Sequence, residues 1–450
     1  MELDLKNGSI NLLLRKMAVP AILAMVVNGL YYLVDAAFVG WGVGSGALAG
    51  LAVIFPVQMF TIAWGSMIGM GVSSVVSLKL GENEKGYANN AAAHAVQIAI
   101  VSGIVITTVT LAMKEPILTG LGVTPGTYAT ASEYLGTLQF GFIFVFLSMV
   151  GFNTARSQGM AKAAGKGMFI GTLINLALDP AFIFIFGLGV RGAALATVIA
   201  RGFSTLYFVL LLNRKQIDVA LKPINGRFDP SLIRRILFLG AGNFLGQISF
   251  SVIALVINRT LRELGTDIDL AVYGILARIH VFITMPLLGL AQGFQPIAGF
   301  SYGRGDRRRT REVLKKTMIV AVLMGAVMLV WPLFFPEKVL SLFCDENLVI
   351  SEGIAPLRTT LLLLPLIGVQ IVGFSLFQAV DDPTRTIIIS LSRQVIFLVP
   401  LLIILPMILN TNGLWMSFPA ADALACVLTL ATILRFSGTK LRTPVSRKAG

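Results

Sequence analysis

Cysteine and histidine are nearly absent from this chain, with two of each in 450 residues. Zinc, haem and iron–sulfur centres need several such ligands, so the usual metal centres are excluded, and two cysteines provide no disulfide framework. Charged residues are also scarce, at 13% of the sequence, whereas hydrophobic residues make up 56%. A chain this apolar cannot face water over its whole surface, so the composition predicts a membrane protein.

The apolar residues are gathered into long stretches that can each hold the roughly 20 residues needed to cross a bilayer. We predict an all-α polytopic protein with twelve transmembrane helices, near residues 12–39, 48–76, 91–112, 134–154, 168–186, 193–212, 236–257, 270–298, 317–335, 359–379, 386–409 and 414–434. The first six residues include two acids and no small-residue cleavage site follows, so span 1 is expected to be retained rather than removed as a signal peptide.

Positive charges are concentrated on one side of these spans. An even number of spans puts both termini on the same side, and the loops there carry 27 of the 36 lysines and arginines, against 6 in the loops of the other side. The positive-inside rule therefore places both termini in the cytoplasm of a plasma (inner) membrane. The net charge of +14 then reflects topology among membrane lipids, and a nucleic-acid partner is not needed to explain it.

The sequence repeats itself at a spacing of 222 residues. Gly71 and Gly293 each precede a second glycine by ten residues, at Gly81 and Gly303, and both pairs lead into a charged turn. We therefore predict two six-helix bundles. Because six is even, both halves enter the membrane from the same side, and a pseudo-two-fold axis along the membrane normal should relate them.

The repeat also sets the expected domains. We predict an N-terminal lobe at residues 1–213, a basic cytoplasmic linker at 214–235 and a C-terminal lobe at 236–450. Paired repeats with a central site between them are typical of secondary transporters. A channel and a membrane-embedded enzyme are the alternatives that share this organisation.

Polar residues inside the first-half spans are the candidate functional residues, because such groups are costly in a membrane. Asn28, Tyr31 and Asp35 follow one another at i, i+3 and i+7 in span 1, which puts them on one helix face. Asn175 and Asp179 share a face of span 5 at a spacing of four. Each acid also has an interpretation without a functional role, since Asp35 could lie near the outer interface and Asp179 could cap a helix.

Two further features of spans 5 and 6 support this cluster. Pro180 directly follows Asp179, and a proline there removes a backbone donor and predicts a locally irregular helix with spare acceptors. Thr197 lies in a run of small residues that permits close helix approach. If they converge, two carboxylates, one amide and one hydroxyl would form an oxygen-rich site in the first half.

The second half contains fewer candidate polar residues within its spans. The counterpart of span 1 contains Gln247 and Asn258 but no acid, and among the acids of this half only Asp422 lies within a span. We expect Asp422 and Arg201 to be interfacial or paired with each other.

Several of these segments carry a family resemblance. The stretch NLALDPAFIFIFGLGVRGAALAT from Asn175 to Thr197, the paired glycines before each first cytoplasmic turn, and GLWMSFPAAD at 413–422 resemble the multidrug and toxic compound extrusion (MATE) family. The similarity covers essentially the whole chain. In the DinF-like branch, the N-terminal lobe has a cation site, and the residues that match its motif are Asp35, Asn175, Asp179 and Thr197. The branch with acids on spans 7 and 10 is disfavoured, because Gln247 stands where one acid would be and span 10 has none.

The resemblance implies an antiporter and not an enzyme. It would export cationic or amphipathic compounds by alternating access in exchange for inward H⁺ or Na⁺, without a cofactor and as a monomer. Small organic substrates would contact aromatic, methionine and amide side chains, for which we single out Asn28, Tyr31, Asn153, Gln247 and Gln370.

Two alternative functions remain. A flippase for lipids or lipid-linked saccharides should have a cationic central groove, whereas Arg201, Arg278 and Arg393 are expected to be scattered. A membrane-embedded transferase should have a cluster of acids or histidines with metal-ligand spacing, and the sequence offers only the pair Asp381-Asp382.

Overall fold

The computed structural model describes residues 5–6, 8–43, 45–215, 217–221, 229–344 and 346–439, without the side chains of residues 28, 30–37, 39–43, 45–49, 267 and 439. This part of the chain is helical. Its first half contains the helices α1 (Ile10–Val43), α2 (Ser45–Gly81), α3 (Lys85–Ala112), α4 (Lys114–Gly120), α5 (Pro125–Leu138), α6 (Phe142–Ser157), α7 (Ala161–Pro180) and α8 (Gly189–Leu212).

The second half follows the same plan. Its helices are α9 (Pro230–Leu264), α10 (Asp267–Gly303), α11 (Arg307–Phe334), α12 (Pro336–Leu340), α13 (Asn347–Leu361), α14 (Leu364–Ala379), α15 (Pro383–Leu391) and α16 (Val399–Thr439). Three irregular segments continue these helices: a 3₁₀ turn at Gln139–Gly141 and π-helical segments at Ala181–Ile185 and Ser392–Leu398.

Local capping groups start helices α9 and α10. Pro230 stands at the first position of α9, where a missing N–H is tolerated, and Asp229 before it accepts from the backbone of Ser231 and Leu232. The hydrogen bond from the Ser231 hydroxyl, followed by those from the backbone, lowers the pKa of the Asp229 carboxyl. Thr266 and Asp269 form a reciprocal capping box at the start of α10.

The structure confirms twelve membrane spans. Among the described residues, ten helical stretches are long and apolar enough to cross a bilayer, and α13 with α14 forms an eleventh, bent by 44°. The last stretch, Pro383–Gly438, has 56 residues and would measure about 84 Å as one helix, far more than a bilayer. Asn410 has a φ of 52° and breaks it into two spans.

The helix positions confirm the internal repeat. Helices α3, α4, α5 and α7 begin at residues 85, 114, 125 and 161, and their counterparts α11, α12, α13 and α15 begin 222 residues later, at 307, 336, 347 and 383. The short helices α4 and α12 were not predicted, because 7 and 5 residues are too few to give a periodic signal.

The two halves meet along α1, α2, α9 and α10, and glycines allow their backbones to touch. A Cβ on Gly71 would lie 2.0 Å from the carbonyl oxygen of Ile236, and one on Gly81 would lie 2.2 Å from that of Phe300. The repeat gives the matching contact, since a Cβ on Gly303 would lie 2.1 Å from the carbonyl oxygen of Leu78. The glycines that mark the repeat are therefore those that let the halves pack.

These contacts lie toward one membrane face. We call it the terminal face: it is where α1 and α9 begin, near residues 10 and 230, and where α2 and α10 end, near 81 and 303. The halves are thus closed against each other at the terminal face.

A single added methyl group should open this interface. A Cβ on Gly240 would lie 1.8 Å from the carbonyl oxygen of Met67, so Gly240→Ala must push the halves apart. Gly86 and Arg308 are exposed at the terminal face, one in each half. We expect the distance between spin labels at these two positions to increase in double electron–electron resonance measurements. The matched control is Gly274→Ala, since a Cβ there meets nothing within 4 Å. Identical distance distributions for the two variants would contradict this account of the interface.

Candidate functional site

A central cavity of about 420 Å³ lies between the two halves. Much of its wall is aromatic or methionine side chain, which accepts apolar surface of many shapes. These residues include Met25, Met149, Phe152, Phe208, Phe250 and Phe374. A cavity of this size and composition can enclose a small amphipathic organic molecule.

Three of the predicted substrate-binding residues lie in the wall of this cavity. They are Asn153 from the first half and Gln247 and Gln370 from the second. Asn153 donates to the Met149 carbonyl at 2.8 Å, and Gln370 donates to the Asp422 carbonyl at 2.9 Å. The side chains of the other two, Asn28 and Tyr31, lie outside the described residues, and the part that any of the five plays in binding stays a prediction.

Toward the terminal face from the cavity lies a buried arginine, Arg156, which the predicted end of span 4 at residue 154 places among the loop cations. That assignment was wrong, because α6 extends past the predicted end of span 4 and leaves Arg156 at 0% exposure. Its Nη2 donates to the amide oxygens of Asn153 at 2.8 Å and Gln295 at 2.9 Å, and contacts the sulfur of Met70 at 3.2 Å. Nε and Nη1 have no hydrogen-bond partner among the described residues.

Gln295 extends this network across the interface. Its amide nitrogen donates to Ser74 in the first half at 2.9 Å and to Gln378 in the second at 3.2 Å. Gln378 stands 222 residues after Arg156, so the two are counterparts in the repeat. Sequence reasoning could have found the pair by comparing polar residues at the repeat spacing.

The first half contains the acid–amide pair predicted for span 5. Asn175 donates to Asp179 at 3.2 Å, and both residues are buried, with 2% and 1% exposure. The Oδ1 atom of Asn175 has no hydrogen-bond partner among the described residues. The helix after Pro180 is π-helical, which confirms the predicted irregularity.

A small pocket of about 20 Å³ adjoins Asn175, roughly the space of one water or ion. Asn175 and Thr197 both line it, together with Arg201 and Ser204. The Thr197 hydroxyl donates to the Ala193 carbonyl at 3.1 Å, which leaves its oxygen lone pairs able to accept. Asp35, the fourth residue predicted for cation coupling, has a side chain outside the described residues.

The second half contains a buried charge cluster around Asp422, a residue predicted to be interfacial or paired with Arg201. Asp422, which is 1% exposed on its side chain, binds Arg393 Nε at 2.5 Å and not Arg201. Arg393 Nη2 lies 3.1 Å from His280 Nε2. The partners are separated by 29 and 113 residues in sequence, so no local pattern could reveal them.

Arg201 and Arg393 are also not scattered as expected. Both line the central cavity, Arg201 from α8 and Arg393 from the π-helical segment of the second half. Arg278, in contrast, is exposed on α10 and does not line it.

Twelve spans in two repeats around a central cavity are typical of membrane transporters. The chain belongs to the MatE family, whose family model matches residues 20–181 and again residues 243–404. It is a transporter and not an enzyme.

Individual relatives align with this chain over nearly the full length of both sequences. The multidrug export protein MepA of Staphylococcus saprophyticus is 23% identical over 417 residues, 93% of this chain and 92% of that protein. MepA of Staphylococcus aureus strain NCTC 8325 is 24% identical over 422 residues, 93% of this chain and 92% of that protein.

Solved MATE structures share the fold. A MATE transporter in its bent conformation superposes with a TM-score of 0.90 at 25% identity, covering 96% of this chain and 97% of that one. A MOP superfamily transporter from Pyrococcus furiosus Vc1, described as having a binding pocket of reverse polarity, gives a TM-score of 0.91 at 25% identity and covers 98% of both chains.

Proposed function

We propose that this protein is a secondary active multidrug exporter that moves amphipathic organic compounds out of the cell in exchange for inward H⁺ or Na⁺. The observation that carries the proposal is the central cavity, which combines aromatic and methionine walls with amide groups from both halves. The names of the MepA relatives support export of chemically varied compounds. We expect the transporter to act as a monomer, because one chain contains both halves and the whole cavity.

Alternating access is the proposed cycle. The halves pack through glycines at the terminal face, and the cavity lies beyond that contact. Separation at the terminal face and approach at the other would expose the cavity to each side in turn. The division into a lobe at 1–213, a linker at 214–235 and a lobe at 236–450 is part of this proposal.

The proposed coupling site is the oxygen cluster of the first half. Asp179, Asn175 and Thr197 provide carboxylate, amide and hydroxyl oxygens, and we assign Asp35 to the same site. Hard cations prefer such oxygens, and a carboxylate also accepts a proton. Inward movement of one positive charge releases about 2.3 kcal/mol per 100 mV of membrane potential. This free energy can sustain roughly a 50-fold concentration gradient of a neutral substrate.

The cavity wall favours amphipathic substrates over the cationic ones that are also expected for a multidrug exporter. Its described lining includes Arg201 and Arg393 but no aspartate or glutamate. A permanent organic cation would meet positive charge without a neutralising acid on that wall.

The same observation supports a second candidate. A flippase for lipids or lipid-linked saccharides needs a cationic groove for phosphate, and Arg201 and Arg393 face one cavity. Accumulation of dye in inverted membrane vesicles, driven separately by a pH gradient and a sodium gradient, tests between the two. Dye uptake under either gradient supports the exporter. Phospholipid scrambling without dye uptake would support the flippase.

Topology gives an independent prediction. We expect the terminal face to be cytoplasmic, so a cysteine at Arg311 should react with a membrane-impermeant maleimide only in inverted vesicles, and one at Lys338 only in intact cells. Both positions are exposed at opposite faces. The background needs Cys344→Ser and Cys426→Ser, because both native cysteines are free thiols. Labelling of the Arg311 position in intact cells would reverse the orientation.

A further inference from the structure

Arg201 is a cation at the middle of a membrane span. Helix α8 runs from Gly189 to Leu212, so Arg201 lies about 17 Å from either end at 1.5 Å per residue. It makes no hydrogen bond or ion pair with any other described residue. A charge at this depth is costly, and a residue of this kind is normally retained for a ligand or a partner.

The surroundings of Arg201 indicate where such a ligand would bind. The side chain borders the central cavity and also the small pocket with Asn175 and Thr197. Neither wall contains an aspartate or glutamate among the described residues. The Arg201 side chain therefore borders space that a ligand can enter.

Arg393 brings a second guanidinium to the cavity from the other half. Asp422 holds its Nε at 2.5 Å but does not itself line the cavity, so the acid lies behind the guanidinium. Arginine has no acceptor atom, so His280 Nε2 must accept from Nη2, and this imidazole is neutral with its proton on Nδ1. The cluster thus fixes the orientation of Arg393 and adds no acid to the wall.

The described wall is therefore positive and otherwise neutral. Of its charged side chains, Arg393 is balanced by Asp422, whereas Arg201 has no described counter-charge. The remaining polar groups are amides and hydroxyls such as Gln247, Asn243 and Thr284, which accept or donate without net charge.

We propose that the central cavity binds organic anions: amphipathic compounds whose carboxylate or phosphate pairs with Arg201, with Arg393 as a second positive charge. A guanidinium binds such groups through two parallel hydrogen bonds, and the aromatic wall receives the apolar part. This proposal rests on the exporter function and names the substrate class of the same cavity.

Equilibrium binding to the purified full-length protein in neutral detergent tests it. The probes are dansyl-undecanoic acid, its methyl ester and a dansyl-alkyl trimethylammonium salt of equal chain length, followed by dansyl fluorescence. We expect the acid to bind about tenfold more tightly than the other two probes. Arg201→Gln should weaken binding of the acid about tenfold and that of the ester less than about twofold, whereas Arg201→Lys should keep part of the preference.

Arg278→Gln is the matched control, since it removes a span arginine that does not line the cavity. It should leave all three affinities unchanged. Unchanged ester binding by Arg201→Gln shows that this variant is folded. Equal affinity of the native protein for acid and ester, or tightest binding of the trimethylammonium probe, would overturn the proposal.

Competition distinguishes the two sources of the anionic group. Displacement of the acid by anilinonaphthalene sulfonate alone supports a free organic anion, and displacement by dihexanoyl phosphatidate alone supports a lipid headgroup. Displacement by both supports an organic anion of either origin, and displacement by neither refutes the site. Failure of gradient-driven dye transport with this binding intact would refute the exporter and leave the anion site standing.

Discussion

Asp179→Asn is expected to abolish coupled export of every substrate in proteoliposomes, under both a proton and a sodium gradient. Asparagine has nearly the same volume and keeps the Oδ1 atom that accepts from Asn175 at 3.2 Å, so the fold should be preserved. It neither takes up a proton nor neutralises a bound cation, and the step it removes is shared by all substrates. The measurement is uptake of a panel of dyes under each gradient in turn.

Substitutions in the cavity wall are the controls for this result. Gln247→Ala and Gln370→Ala each remove a hydrogen bond worth on the order of 1 kcal/mol, a several-fold change in apparent affinity for some substrates only. Asn175→Ala and Thr197→Ala should act in the direction of Asp179→Asn but less severely, and more strongly under a sodium gradient if they bind Na⁺. Equal loss of all substrates in Gln247→Ala, with selective loss in Asp179→Asn, would place coupling in the other half.

The second large effect is expected at Arg156. Arg156→Gln should hold the halves together at the terminal face and slow transport of all substrates. The hydrogen-bond partners of Arg156 are neutral amides and a thioether, so the closed interface keeps a buried charge away from water at a cost of several kcal/mol. Opening the terminal face would hydrate that charge, so removing it should favour closure.

Glutamine suits this position because the repeat already has it at Gln378, and its amide can still donate to Gln295. Between spin labels at Gly86 and Arg308, Arg156→Gln should show a smaller fraction of long distances than the native protein, and the initial rate of dye uptake should fall. Arg156→Lys keeps the charge and should retain more transport. Native rates and native distances in Arg156→Gln would show that the buried charge has no part in opening.

The membrane explains why so much of the fold could be predicted. Each span must be apolar for about 20 residues, and this constraint alone gives twelve helices and, with the spacing of 222, two repeats. The predicted helix ends were less accurate, because α2 and α10 each run for 37 residues and continue beyond the apolar region.

The site could be predicted only in part, because hydropathy gives the depth of a residue and not the direction of its side chain. Polar residues in spans were a sufficient signal for Asn175 and Asp179, which share a helix. Arg393 and Asp422 lie on neighbouring segments, and the sequence alone favoured the wrong partner for Asp422. Arg156 was missed because it lies at a span end, where arginines are usually solvated.

The counterparts Arg156 and Gln378 also bear on how such a chain could arise. Two halves that enter the membrane from the same side can begin as two copies of one six-helix protein, which associate as a symmetric dimer. In that dimer, the two positions beside the axis would carry the same residue, and a pair of arginines there would bury two like charges together. Once both halves are encoded in one gene, a single arginine can face a glutamine through Gln295. Fusion therefore makes possible a lone charge at the centre of the interface, which an assembly of identical subunits could not contain.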